Sequence, residues 1–339
     1  MKHGGRGRYI TILLFFVIVL IVLFFLSFFW GRYSISPGTL IDVFLSKFNL
    51  TEPYWADQVE SIIFQVRLPR ILLACLVGCC LSAAGATYQG IFQNPMAAPD
   101  FLGASSGAAL GACLAILLDL NSAMITLFAF VFSVATVLVV MFVARCAPGN
   151  RVVSLVLAGI IISSLCSSGT SYIKLVADTE DQLPEITYWL MGSLSGTNLD
   201  TALWIMIPMA IGLVPLIFLS WKINILTVGD EEAVSMGVNV QRVRTISILC
   251  ATLVTAASVS VSGMIGWIGL VIPHFARMLV GNNYVKMMPL TLVIGAVFLL
   301  IVDDISRNLL ATEIPIGILT SIIGAPFFIY LLVRKENRL

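Results

Sequence analysis

Apolar runs without a single charge follow one another along the chain, at 10–31, 71–99, 101–118, 120–144, 152–173, 201–221, 245–276, 287–302 and 314–333. A bilayer core about 30 Å thick takes about 20 apolar residues per helix. Six of the runs, 18 to 25 residues long, therefore predict one span each. The run 71–99 closes on Asn94-Pro95-Met96-Ala97-Ala98-Pro99, a helix-breaking cluster that stops its span near Phe92. The run 245–276 is too long for one helix and is punctuated by Gly263, Gly266, Gly269 and Pro273. It predicts one span over 243–266 and a shorter one over 272–283. The run 287–302 reaches full length when carried on to Arg307. Ten helices result. Barrel strands would alternate apolar and polar residues, and none of these runs does. The first run exceeds the core of a secretion signal and lacks a small-residue cleavage site, so 10–30 reads as a first transmembrane helix.

Composition agrees with that pattern. Of 339 residues, 59% are hydrophobic and 11% charged, where a soluble domain carries about 25% charged residues. The 19 basic and 18 acidic residues nearly cancel, a balance that excludes a nucleic-acid binder. With the N-terminus inside, the inner segments hold 13 of the bases: Lys2, Arg6, Arg8, Arg145, Arg151, Lys222, Arg242, Arg244, Arg277, Lys286, Arg334, Lys335 and Arg338. The outer segments hold Arg32, Lys47, Arg67, Arg70, Lys174 and Arg307, together with 13 of the acids. This positive-inside bias places both termini in the cytoplasm.

No soluble domain interrupts the chain, which is expected to be one transmembrane unit over 1–339. Its parts are a cytoplasmic tail at 1–9, the first helix at 10–30, an outer segment at 177–200 and a cytoplasmic segment at 222–242. Between them lie two stretches that resemble each other, 67–176 and 243–334. Each begins at paired arginines, runs through small residues and breaks at proline, once starting outside and once inside. That is an inverted repeat of helices 2–5 and 7–10, a design that places a transport pathway at the repeat interface; chance similarity of Gly/Pro-punctuated helices is the alternative. Small residues such as Ser82-Ala83-Ala84-Gly85-Ala86 allow close helix packing.

Enzymatic parts are missing. His3 and His274 are the two histidines, too few for a His-based metal site, and no phosphate-binding loop of the G-x-x-x-x-G-K-[ST] type occurs. The seven cysteines sit in or at the ends of apolar spans and read as packing residues. No cofactor is implied. Proton- and sodium-coupled carriers use acids inside the membrane, whereas Asp100, Asp119, Asp303 and Asp304 fall at predicted span ends. The driving energy is then expected from another chain, and an ion-coupled secondary carrier is the less favoured alternative.

Several segments resemble the permease subunits of ABC importers for iron–siderophore complexes, haem and cobalamin, which have the type II importer fold. They are Arg67-Leu68-Pro69-Arg70, Gly85-Ala86-x-x-Gln89-Gly90-x-x-x-Asn94-Pro95-x-Ala97-x-Pro99-x-x-Leu102-Gly103, and Trp189-Leu190-Met191-Gly192-Ser193-Leu194. Gly269-Leu270-Val271-Ile272-Pro273-His274-x-x-Arg277, Asp303-x-x-x-Arg307, Glu313-Ile314-Pro315-Ile316-Gly317 and Gly324-Ala325-Pro326-x-Phe328 follow in the same order. The resemblance implies a permease in the bacterial cytoplasmic membrane carrying an iron–siderophore, with haem or cobalamin as the alternative cargo. It also implies a second permease subunit, identical or paralogous, a cytoplasmic ATP-binding-cassette ATPase dimer and an extracytoplasmic binding protein.

Residue roles follow from the same likeness. Gly229, Asp230, Glu231, Glu232, Ala233, Met236 and Gly237 lie in a segment similar to the helices that couple such permeases to their ATPase; an ordinary acidic loop helix is the alternative. Arg67, Arg70 and Arg307 match arginines that receive carboxylates of the binding protein, against headgroup contact or intrachain pairing with Asp303 or Asp304. Ser163, Ser164, Ser167 and Ser168 lie on a helix that lines the pathway in the family, and packing is the equal alternative.

Overall fold

The protein was described from a computed structural model covering residues 3–31, 33–47, 49–149 and 151–333. The expectations resting on Lys2, Arg32, Arg334, Lys335 and Arg338, and hence on the tails, lie outside these residues. Every element among the described residues is helical. In chain order they are α1 (His3–Leu26), α2 (Pro37–Ser46), α3 (Asp57–Ser61), α4 (Leu68–Ile91), α5 (Ala104–Leu117), α6 (Ser122–Cys146) and α7 (Arg151–Val176). There follow α8 (Gln182–Met191), α9 (Leu199–Leu226), α10 (Asp230–Ser235), α11 (Val240–Ser262), α12 (Ile268–Val280), α13 (Tyr284–Asn308) and α14 (Ile316–Val333).

Each predicted span meets one helix, but they are not ten equal crossings. Among the described residues seven helices, α1, α4, α6, α7, α9, α11 and α13, are long and apolar enough to cross a membrane. The helices α5 and α12 have 14 and 13 residues, about 20 Å at 1.5 Å per residue, short of a bilayer core. Both follow a break in the backbone. Before α5 lies Phe92–Gly103, with a 3₁₀ turn at Pro99–Leu102; before α12 lies 263–267. Polar side chains fix where helices begin: Asn121, Asn198 and Asn239 each accept from a backbone N–H three residues on, at 3.0, 2.8 and 2.9 Å, satisfying groups a helix start leaves open.

The centre of the bundle is α4, whose apolar window is 78% buried, with α11 and α13 beside it at 67% and 61%. By contrast α1 packs on α13 at the rim, and none of its residues from Gly7 to Leu26 is fully buried. The packing pairs exchange when α4–α7 are swapped for α11–α14: α4 packs on α12 and α13, α11 on α5 and α6. Small residues make the central contacts possible. A Cβ on Gly85 would stand 1.8 Å from the Gly269 carbonyl oxygen, and one on Gly78 would stand 2.2 Å from that of Gly295. Helices here meet backbone to backbone.

Candidate functional site

Three places in this frame carry the residues singled out by sequence. The first is the turn between α9 and α11. Asp230, Glu231 and Glu232 fill the first turn of α10, where acids suit a helix N-terminus. Asp230 is not free: Arg244 of α11, itself buried, holds it through Nη2 at 2.9 and 3.1 Å. Ala233 is fully buried and anchors the turn, so it presents nothing outward. The projecting atoms belong to Val228, Val234 and Met236, which are 62%, 63% and 62% exposed, and to the acids beside them. Gly229 caps the turn and Gly237 leaves it at φ +80° with open space around its Cα. Sequence reasoning missed Val228, Val234 and Arg244. An apolar triplet in a polar loop is the signal that finds the first two.

At the opposite end of the bundle lie the three arginines, which turn inward to groups of their own chain. Arg67, Arg70 and Arg307 are 4%, 5% and 7% exposed. Arg67 donates to the carbonyls of Phe28 and Tyr33. Arg70 donates through Nε to Asp303 Oδ1 at 2.9 Å and through Nη1 to both oxygens of Glu313 at 3.0 and 2.9 Å. Arg307 stands 3.1 Å from Asp303 Oδ2 through Nε, pairs with Asp304, and donates to the Trp30 carbonyl at 3.3 Å. Ser27 of the α1 end donates to Asp304. Two guanidinium groups, Arg70 and Arg307, thus face three carboxylates while Arg67 is held by backbone carbonyls, and the cluster ties the end of α1 and the start of α4 to the end of α13 and the loop before α14. Arg70 Nη2 has no acceptor. The physical reason for the inward setting is desolvation: buried acids at 303 and 304 are tolerable only when paired. Both acids lie near the end of α13, within the span carried on to Arg307.

Of the serines on α7, Ser163 is half-buried, and its Oγ would stand 2.6 Å from a Cβ on Gly103. Ser164, Ser167 and Ser168 are exposed on the outer surface of the bundle, among Ile160, Ile161, Leu165 and Tyr172. Among the cysteines, Cys80, Cys113 and Cys166 are buried, as packing residues are, while Cys146 is exposed at the end of α6. No group of three or more His, Cys, Asp or Glu side chains fit to hold a metal ion occurs among the described residues.

A bundle of apolar helices with broken half-helices, a projecting turn at one end and a charged cluster at the other is a polytopic transport permease. Residues 19–334 match the FecCD transport family, and the chain belongs to it. It is 38% identical to the molybdate import system permease protein MolB of Haemophilus influenzae, over 97% of each chain. It is 41% identical to an iron chelatin transport system permease of Helicobacter pylori, over 83% of this chain and 85% of that one. The solved structure of a metal-chelate type ABC transporter in an inward-facing conformation superposes with a TM-score of 0.85 at 36% identity, covering 95% of this chain and 98% of that one. The chain is a multi-pass permease subunit of an ATP-binding-cassette importer.

Proposed function

We propose that this permease passes an iron–siderophore from an extracytoplasmic binding protein to the cytoplasm, paired with a second permease and driven by ATP hydrolysed on separate cytoplasmic ATPase subunits. The observation that carries this reading is the projecting α10 turn. Val228, Val234 and Met236 form an apolar tip flanked by Glu231 and Glu232, braced from behind by Ala233 and the Asp230–Arg244 pair. An exposed apolar tip on a braced helix suits insertion into a cleft of a partner. The end carrying α10 is then cytoplasmic, as are both termini.

At the other end, the binding protein docks over the arginine cluster. A carboxylate arriving from it competes with Glu313 for Arg70, whose Nη2 lacks an acceptor. Glu313 sits on the loop that starts α14 and its side chain is 27% exposed, so exchange at Arg70 releases that loop. The cargo then moves along faces of α7 and α14, where Ser164, Ser167 and Ser168 offer polar contacts without fixed charge.

A second cargo, molybdate, is favoured by the 38% identity to the Haemophilus permease over nearly the whole chain. Uptake of iron-labelled chelates and of labelled molybdate in a strain lacking the gene decides between them. The first reading expects loss of chelate uptake alone; loss of molybdate uptake alone overturns it.

A further inference from the structure

Beside α10, at the end assigned to the cytoplasm, Arg145 of α6, Arg151 of α7 and Arg242 of α11 line an open cleft of about 530 Å³ with Asn239, Gln241, Thr245 and Ile246. Among the described residues no carboxylate lies within ion-pair distance of any of the three, in contrast to the neutralised cluster at the opposite end. With the Gln241 amide turned oxygen-first, Arg151 donates to it from Nη2, Nη1 and Nε at 2.8, 3.0 and 3.2 Å. Arg151 is thereby fixed, while the guanidinium groups of Arg145 and Arg242 remain exposed on either side. Three unneutralised cations in one recess call for an anion with several oxygens.

The surface below the cleft says which kind. One and two turns deeper, α11 exposes Ile246 and Leu249, 36% and 41% accessible, and α6 exposes Phe142 and Leu138, 68% and 49% accessible. Ile246 and Phe142 stand four and three residues from Arg242 and Arg145, and Leu249 and Leu138 seven, so they continue the same helix faces into the membrane. A basic recess at headgroup level over two apolar stripes matches a molecule with an anionic head and acyl chains. A free oxyanion uses the recess and leaves the stripes unexplained. An acidic protein surface has to reach into a recess beside a turn that itself projects.

We infer that this cleft is a binding site for an anionic phospholipid headgroup, with Arg145, Arg151 and Arg242 holding the phosphate and the α6 and α11 stripes holding the chains. The inference rests on the assignment of the α10 end to the cytoplasm and is independent of the cargo. The test uses the full chain in a mild detergent, titrated with phosphatidylglycerol, phosphatidylcholine or inorganic phosphate and followed by native mass spectrometry and thermal unfolding. Phosphatidylglycerol is expected to remain bound and to raise the unfolding temperature, with neither phosphatidylcholine nor phosphate doing so. The double substitution R145Q/R242Q should weaken phosphatidylglycerol binding roughly thirty-fold, from the usual contribution of two basic side chains at an anionic surface. R145K/R242K should keep most of the binding, which separates lost charge from lost folding. Equal retention of the two lipids, an equal shift with phosphate alone, or unchanged lipid preference in R145Q/R242Q overturns the inference. So does a loss of ATPase co-purification in that variant with lipid binding intact, which marks the cleft as a protein contact.

Discussion

Replacing Asp303 by Asn tests whether the arginines near it are committed within the chain. Asp303 is fully buried and serves Arg70 at 2.9 Å and Arg307 at 3.1 Å. Removing one partner of a buried ion pair costs about 3–5 kcal/mol. Here each arginine keeps a second carboxylate, Glu313 or Asp304, which puts D303N near the lower end, about 3 kcal/mol. R70Q removes the complementary charge and should cost a similar amount. The double variant removes both members of the Arg70–Asp303 pair at once, leaving Arg307 on Asp304 and the part-exposed Glu313 without its partner. It should therefore cost less than the sum of the single changes, by about 1–3 kcal/mol. Unfolding of the four purified proteins by a denaturing detergent, followed through tryptophan fluorescence, measures the cycle. Costs that add to within about 0.5 kcal/mol refute the coupled cluster, as does an unaltered midpoint in D303N.

Three further outcomes follow from the same geometry. Gly237 has φ +80° and a Cβ placed on it meets nothing within 4 Å, so Gly237→Leu strains the backbone by about 1–2 kcal/mol without a clash at Cβ. It should leave binding-protein association intact and depress uptake per ATP hydrolysed in reconstituted vesicles; normal uptake removes α10 from coupling. Gly85→Val places a side chain against the Gly269 backbone, and the yield of folded protein should collapse, with a cost at or above about 3 kcal/mol. Gly7→Val in open space on α1 is the control, and folded G85V at wild-type yield contradicts the α4–α12 contact. Leucine at Ser164, Ser167 and Ser168 together should preserve folding, since the face is already apolar and exposed, yet cut uptake steeply; unchanged uptake takes the pathway away from α7.

Much of the architecture was written in local signals, because a charge-free run of 20 residues means a span wherever it occurs. The helices α6, α7, α9 and α11 lie close to where the apolar runs put them. Length was less legible. Gly263, Gly266 and Pro95 mark the breaks, but only packing of α5 and α12 on their neighbours sets how short those helices become. Between the first two spans the apolar runs predict no element, yet the chain there folds α2, with Ser36 accepting from the Thr39 N–H, and α3 running through a π-helical turn at Ile62–Arg67 into α4. The arginine cluster shows where reading by position stops. Arg70 and Asp303 are 233 residues apart, so no local pattern joins them, whereas Arg307 stands three and four residues from Asp304 and Asp303, a spacing that made their pairing the alternative to docking. At α10 the acids were visible as helix-start residues, whereas the exposure of Val228, Val234 and Met236 depends on Ala233 being the residue that turns in.

The central claim, that this permease has no energy source of its own and draws on ATP through the α10 turn, is tested most directly in sealed vesicles holding the permease with its ATPase and supplied with loaded binding protein. Accumulation of labelled chelate should require ATP on the side where α10 projects and survive collapse of the proton and sodium gradients. Accumulation driven by an imposed ion gradient without ATP contradicts it.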